Sequence, residues 1–566
     1  MATKLKKTDV VIIGMGAGGG TAALPLARAG AKIIGLEAGG RYTPTDFIAD
    51  EIRHDVLNWL GRAKANWEVP TVRSSPDGVA EKGQGIIMMN GVGGSSIHYT
   101  GQSWRLSPYN FKERSETIRR YGASAIPADV ALADWPVQYD DLEPHYDHVE
   151  REIGISGKAG RIKGVGKDSR GNVFEGVRRR EYPMPPLRNS GWTDLMAGAA
   201  RKLDWHPFPG PAAILSREYK QRPACDYHGF CTFNGCHTTA KSSTCFTTIP
   251  EAEATGNLKI VTRARATRIE TDSAGRATGV TYVRGGQEFF QPADVVILST
   301  YTYENVRLLL MSTSAAHPNG IGNAHDQVGR YYMAHSYYTV NGLFPGERLN
   351  RYSGTGAQQT CLDMWDADNF DHTGLGFIGG GTLSASMENK PMAMATTTPP
   401  DVPRWGSAWK AWVKANANSV GGAFVQVPSM PYVDNRLDLD PTHKDQYGQP
   451  VIRITFRIGD NEQRLVDFLT PKMEAWLKTA GATQTWHDPV YPLALNSHAF
   501  GGTRMGADPA SSVVDKWMMV HDVPNLAVLS GSTFPSTSSK NPTQTIEALS
   551  WRTAEYITRH FNAVKG

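Results

Sequence analysis

Cysteine is scarce in this sequence: five occur among 566 residues. No stretch of about 18 apolar residues is present, which excludes a membrane-spanning helix on length alone. The N-terminus, MATKLKKTDV, has no apolar h-region and runs directly into a buried-strand pattern, so no signal peptide is expected. Charge of one sign is also lacking. A formal net charge of +4 over this length gives no basis for nucleic-acid binding. Internal repeats and low-complexity tracts are absent. By its own signals the chain is expected in the cytoplasm, unless a partner subunit carries an export signal. What remains is ordinary for a large enzyme: 40% hydrophobic residues, 20% charged residues, 58 glycines, and a length that suggests two or three domain-sized units.

The stretch DVVIIGMGAGGGTAALPLARAGAKIIGLEAGG reads as strand, glycine turn, helix and strand, a βαβ unit of the length a dinucleotide fold needs. Gly14 permits the tight turn, Gly16 lets backbone approach a pyrophosphate, and Gly19 allows close packing of helix on strand. Glu37 ends the second strand, where its carboxylate can accept hydrogen bonds from ribose hydroxyls. An acid there disfavours a 2′-phosphate, which leaves FAD or NAD. A second glycine-dense loop follows in GIIMMNGVGGSSIHYTGQSWRL, with Gly91, Gly93, Gly94, Ser95 and Ser96. Two such loops suit a long ligand, and flavin adenine dinucleotide is one.

With these two loops and the C-terminal stretch GSTFPSTSSKNPTQTIEALSWRTAEYI, the chain resembles the glucose-methanol-choline (GMC) oxidoreductase family. The resemblance implies an α/β fold with a Rossmann-like FAD-binding domain assembled from residues 1–125, 200–325 and 500–566. A substrate domain of residues 126–199 and 326–499 would be built on an antiparallel sheet, which the alternating stretch PVIRITFRI fits. It further implies an active pair. His498, in LNSHAFGGTRMGADP, is the candidate base, a role suited to an ordinary imidazole pKa of about 6.5. Asn541 would orient the substrate oxygen, while Pro542 and Thr543 start a helix whose N-terminus can face the flavin. Gly531 and Ser532, in NLAVLSGSTFPS, are expected at a strand end touching the cofactor, and His98 is expected near the ring, bonded to it or simply packed.

Three of the five cysteines fall in CDYHGFCTFNGCHTTAKSS. Cys225, Cys231 and Cys236 have the spacing C-x5-C-x4-C, with Gly229 and Gly235 giving the backbone freedom to bring the sulfurs to one centre. Three thiolates match an iron–sulfur cluster better than tetrahedral zinc. His228 and Cys245 are alternative ligands, and a loop of free thiols or one disulfide is the plain alternative. The resemblance to the bacterial three-component sugar dehydrogenases of the family implies a [3Fe-4S] cluster passing single electrons to a cytochrome c subunit. It also implies a small subunit with the export signal, and hence a periplasmic location. The implied substrates are sugars or sugar acids: gluconate at C2, a pyranoside at C3, or glucose at C1. The rival readings are an oxidase that uses dioxygen, with a structural cysteine loop, and a non-catalytic flavoprotein subunit. RIKGVGKDSRGNVFEGVRRR reads as an exposed, mobile basic loop.

Overall fold

Val10, Val11, Ile12 and Ile13 form an unbroken apolar run, the pattern of a strand covered on both faces. In the computed structural model, which describes residues 2–566 apart from 62, 63, 65, 67 and 85–87, this run lies in the strand Thr8–Ile13 inside a nine-stranded sheet. Parallel neighbours flank it: Ile33–Glu37 on one side and Gln287–Leu298 on the other, with Val10 opposite both Ile33 and Val295. Leu258–Thr262 continues the parallel order beyond Ile33–Glu37, and Val523–Val528 pairs in parallel with Gln287–Leu298. The crossover helix Ala17–Arg28 is rich in alanine and glycine, so it lies close against the C-terminal helix Thr543–Arg559 as well as the sheet. This is the expected α/β arrangement, and the C-terminal ends of its parallel strands open on one crevice.

A second sheet of six strands is antiparallel throughout. Its order is Gln484–His487, Ser336–Leu343, Val420–Val427, Leu383–Ser386, Gln359–Leu362, Phe208–Pro209. Alternation divides its residues cleanly. Ala423, Val425 and Val427 pack with Trp192, Met473 and Trp476 of the covering helices Gly191–Lys202 and Asp460–Thr479, while Phe424 and Gln426 point the other way, into the crevice.

Three segments depart from expectation. The stretch PVIRITFRI does not join the six-stranded sheet: Pro450–Thr455 lies in a four-stranded sheet with Arg436–Lys444, Thr71–Arg73 and Glu81–Lys82. Its alternating Ile452 and Ile454 are buried in the core of the nucleotide-binding half. The helix Tyr139–Ile153 packs against Thr543–Arg559 and places Tyr146 and Val149 in that same core. The basic stretch is exposed over residues 163–167, as expected, but its last three residues are pinned. Arg179 pairs with Glu143 at 2.7 Å, Arg180 pairs with Asp147 at 2.5 Å, and the fully buried Arg178 pairs with Glu150. Glu150 also accepts from Arg105 at 2.8 Å and from Gln544 Nε2 at 2.6 Å. Charges this deep persist only when paired, and removing one member typically costs about 3–5 kcal/mol.

Candidate active site and thiol loop

A cavity of ≈ 450 Å³ runs from Glu37 and the first glycine turn to His498 and Asn541, between the nucleotide sheet and the inner face of the six-stranded sheet. Its floor is backbone. Gly14 has φ +89°, and a Cβ there would strike the Ser299 carbonyl. Gly94, at φ +56°, faces Gly16 so closely that a Cβ would sit 2.9 Å from the Gly16 Cα. The two glycine loops are thus opposite lips of one slot, held by Gly93 N donating to Met15 O at 2.8 Å and Val92 N donating to Gly40 O at 2.9 Å. Glu37 braces the same place: its carboxylate accepts from Met15 N at 3.0 Å and Gly39 N at 2.9 Å. Burial raises its pKa, an effect that these backbone donors oppose.

Farther along, Gly91, Ser95 and Ser96 line the slot, with Ser96 Oγ donating to Gly93 O at 2.6 Å. His98 follows, 4% exposed, and its Nε2 has no hydrogen-bond partner among the described residues. Burial, reinforced by the charge of Lys241, holds its pKa down to about 3, so the ring is neutral. A buried polar atom without a partner calls for a ligand atom. The Gly16–Gly94 slot and this open imidazole fit a bound flavin dinucleotide, with Pro542 and Thr543 at the start of Thr543–Arg559 closing the far wall. Gly19 lies behind the turn, packed on the Gly14 carbonyl, as a helix–strand contact requires. Gly531 and Ser532 do not line the cavity. Leu529 and Ser530 do, and Ser532 sits behind them, its Oγ accepting from Thr503 Oγ1 at 2.6 Å.

His498 and Asn541 come together at the other end. Asn541 Nδ2 lies 3.2 Å from His498 Nε2, and Asn541 Oδ1 accepts from Gln426 Nε2 at 2.7 Å. A residue that the sequence did not single out completes the arrangement. His335 Nε2 is 2.6 Å from the Ser538 carbonyl, which can only accept, so this nitrogen carries the proton. Burial holds the His335 pKa down to about 4 and keeps the ring neutral. Its Nδ1 is then an acceptor, 3.1 Å from His498 Nδ1, which must donate. The hydrogen-bond network therefore assigns His498 the tautomer with a bare Nε2, facing the Asn541 amide N–H and the cavity. Burial, with a smaller contribution from His335, keeps the His498 pKa well below the ordinary histidine value. The antiparallel pairing of Met333–Ala334 with Ala499–Phe500 brings the two histidines side by side.

The thiol loop borders the same cavity. Tyr227, Gly229, Phe230 and Phe233 all adopt left-handed conformations, coiling the loop so that Cys231 and Cys236 are buried and Cys225 is half-buried. Backbone N–H groups point at sulfur: Tyr227 N at Cys225 Sγ and Lys241 N at Cys236 Sγ, both 3.4 Å. Burial pushes the Cys225 thiol up to about 11 and Cys231 well above its ordinary value, and the neighbouring cysteines add to both shifts. Lys241 threads the loop, its Nζ donating to the carbonyls of Tyr99, Cys231 and Asn234 at 2.8, 2.9 and 2.6 Å. All five cysteines are free thiols. Cys245 is set apart beneath Gly93, with its Sγ on Ser243 Oγ at 3.3 Å, and His228 turns outward to Asp226. Thr232 and Phe233, next to Cys231, line the cavity. Opposite them Glu388, at φ +62°, accepts from Thr232 N at 2.9 Å and Gly356 N at 3.0 Å and also lines it.

A backbone-lined slot that opens onto a neutral imidazole with a bare Nε2 is the kind of site used by flavoenzymes that oxidise CH–OH groups. Sequence comparison narrows the class: the chain belongs to the GMC oxidoreductase family, whose profiles match residues 208–336 and 431–550. It is 32% identical to the gluconate 2-dehydrogenase flavoprotein of Pantoea cypripedii, over 99% of this chain and 95% of that one. It is 31% identical to the 2-methyl-1,2-propanediol dehydrogenase of Mycolicibacterium austroafricanum, over 100% and 97%. The fold is shared with a formate oxidase of Aspergillus oryzae RIB40, at TM-score 0.63, 16% identity and full coverage of both chains. The protein is an FAD-dependent oxidoreductase acting on the CH–OH group of a sugar or alcohol.

Proposed function

We propose that this chain is the catalytic flavoprotein of a sugar or polyol dehydrogenase that delivers electrons one at a time, through an iron–sulfur centre, to a cytochrome partner. A signal-bearing small subunit would take it to the periplasm. The observation that carries this reading is the layout of one cavity: a His–Asn pair at one wall and, at another, a loop whose middle cysteine, Cys231, lies one residue behind it. His498 Nε2 takes the proton of the substrate hydroxyl, while its Nδ1–H stays on His335. Asn541 Nδ2 donates to the substrate oxygen and is aimed by its bond to Gln426. FAD, when bound, supplies the acceptor for the carbon-bound hydride. Cys225, Cys231 and Cys236 would hold the iron–sulfur centre, a one-electron acceptor between flavin and outer carrier; the N–H groups aimed at sulfur support that donor set.

The test is iron and acid-labile sulfide per flavin in anaerobically purified protein, together with the paramagnetic spectrum of the oxidised sample. About three irons per flavin with an oxidised-state signal are expected for a [3Fe-4S] centre. Iron-free protein that makes peroxide as fast as it reduces dyes would establish the oxidase reading instead.

Two further outcomes follow from the cavity. His335→Leu lowers the rate of flavin reduction by substrate roughly 10–100-fold, because His498 loses the acceptor that fixes its tautomer. His335→Asn, whose Oδ1 can replace that acceptor, keeps most of the rate, and equal losses in the two variants would refute tautomer control. The carboxylate of Glu388 in the cavity wall favours a neutral substrate, a pyranoside, glucose or a small polyol, over gluconate. Glu388→Gln is expected to shift the gluconate-to-polyol ratio of kcat/KM roughly tenfold toward gluconate, the size of one screened charge pair. An unchanged ratio would remove Glu388 from substrate selection.

A further inference from the structure

The thiol loop carries a second set of donors that faces outward. Asp226 directly follows Cys225 and His237 directly follows Cys236, so where the chain turns a sulfur inward the next side chain points to solvent. One carboxylate oxygen of Asp226, one ring nitrogen of His228 and one of His237 all lie within 4.8 Å of one another. His228 Nδ1 sits 2.6 Å from Asp226 Oδ1, and the His228 and His237 rings are 4.5 Å apart between centroids. The backbone is set for this. Tyr227, between Asp226 and His228, is held at φ +59°, a left-handed conformation that a bulky residue adopts rarely and at a cost of order 1 kcal/mol or more. That turn puts the side chains on either side of it on the same face of the loop.

Two imidazoles and a carboxylate, with solvent on the remaining side, are a donor set for a divalent transition ion of the zinc type with an open fourth position. We propose that Asp226, His228 and His237 form such a metal site, separate from the three thiols, and that an ion there ties the first end of the loop to the last. The clamp closes the loop over the sulfurs and removes freedom that the loop would otherwise have to lose on its own. Zinc bound at the rim and thiols in the interior use different residues, so this site stands whether or not the cysteines hold iron.

The experiment uses the full-length FAD-loaded protein, dialysed against EDTA and then equilibrated with zinc chloride, with bound zinc measured by elemental analysis. Cobalt chloride serves as a spectroscopic substitute, read above the flavin absorption. One zinc per chain at micromolar free zinc is expected. Loss of one donor in His237→Ala or Asp226→Asn should weaken binding at least about 10–100-fold, the range known even for changes behind the ligands themselves. His228→Ala is an independent check on the same donor set, and Cys231→Ser should bind zinc as the parent does. No uptake at submillimolar zinc overturns the proposal. So does uptake that survives all three donor substitutions, or uptake that disappears with Cys231→Ser, which would assign the metal to the thiols.

Discussion

His498→Ala lowers the rate of flavin reduction by substrate by about 10²–10⁴-fold, the usual loss when a positioned general base is removed, while FAD stays bound. The cofactor slot is made by Gly14, Gly16, Gly91, Gly94 and Glu37, none of which leans on the imidazole, so the flavin spectrum and stoichiometry should be those of the parent. A variant that turned over at near-parental rate would make this chain the non-catalytic flavoprotein. The pH profile gives a second reading. A base whose pKa burial has lowered stays neutral as pH falls through 6.5, so the acid limb of kcat/KM should lie below the ordinary histidine range. Stability runs the other way. His335 has a folded pKa of about 4 against an ordinary 6.5, so between those values the unfolded chain binds more protons and the fold loses stability as the solution is acidified. Thermal melts from pH 7 to 4.5 should show that decline, and His335→Asn should lessen it, with His98 and His498 carrying the remainder.

Cys231→Ser separates the two halves of turnover. Cys231 is the middle sulfur of the loop and is buried, and no neighbouring thiol can take its place, because Cys245 lies beneath Gly93 on Ser243. In stopped-flow, substrate should bleach the flavin of this variant within about twofold of the parental rate, since His498 and Asn541 are untouched. Steady-state transfer to the cytochrome acceptor should fall about tenfold or more, together with the iron content. Artificial dyes that meet the flavin directly should still be reduced. If flavin bleaching fails while iron is retained, the thiols serve the substrate half of the reaction and the exit route lies elsewhere.

The nucleotide half was legible because its signals are local. An uninterrupted apolar run, a glycine turn and an acid at the next strand end lie within forty residues or so, and each has one physical reading. His498 and Asn541 were readable only through the C-terminal segments that resemble the GMC family. His335 was not readable at all: nothing in YYMAHSYY marks it, and its role arises from the pairing of Met333–Ala334 with Ala499–Phe500, a long-range contact. Glu388 was hidden likewise, since its partner Thr232 is distant in sequence. The alternation in PVIRITFRI announced a strand but could not say which sheet would take it. The exposure of the basic stretch was legible, with Arg179 and Arg180 at the surface, but the partners that hold its arginines were not. Glu143, Asp147 and Glu150, at i, i+4 and i+7 of one helix, form an acidic stripe that matches it charge for charge.

Glu388 has one more consequence. The carboxylate that forms part of the substrate wall also holds the backbone of Thr232, and Thr232 is bonded directly to Cys231. On the proposed function, choice of substrate and route of discharge are then linked through one side chain. A transplant of specificity that replaced Glu388 without the loop would leave Thr232 N and Gly356 N without their acceptor, and the hybrid is expected to accept the new substrate yet empty its electrons slowly. On that reading the portable unit is Glu388 together with the loop it holds.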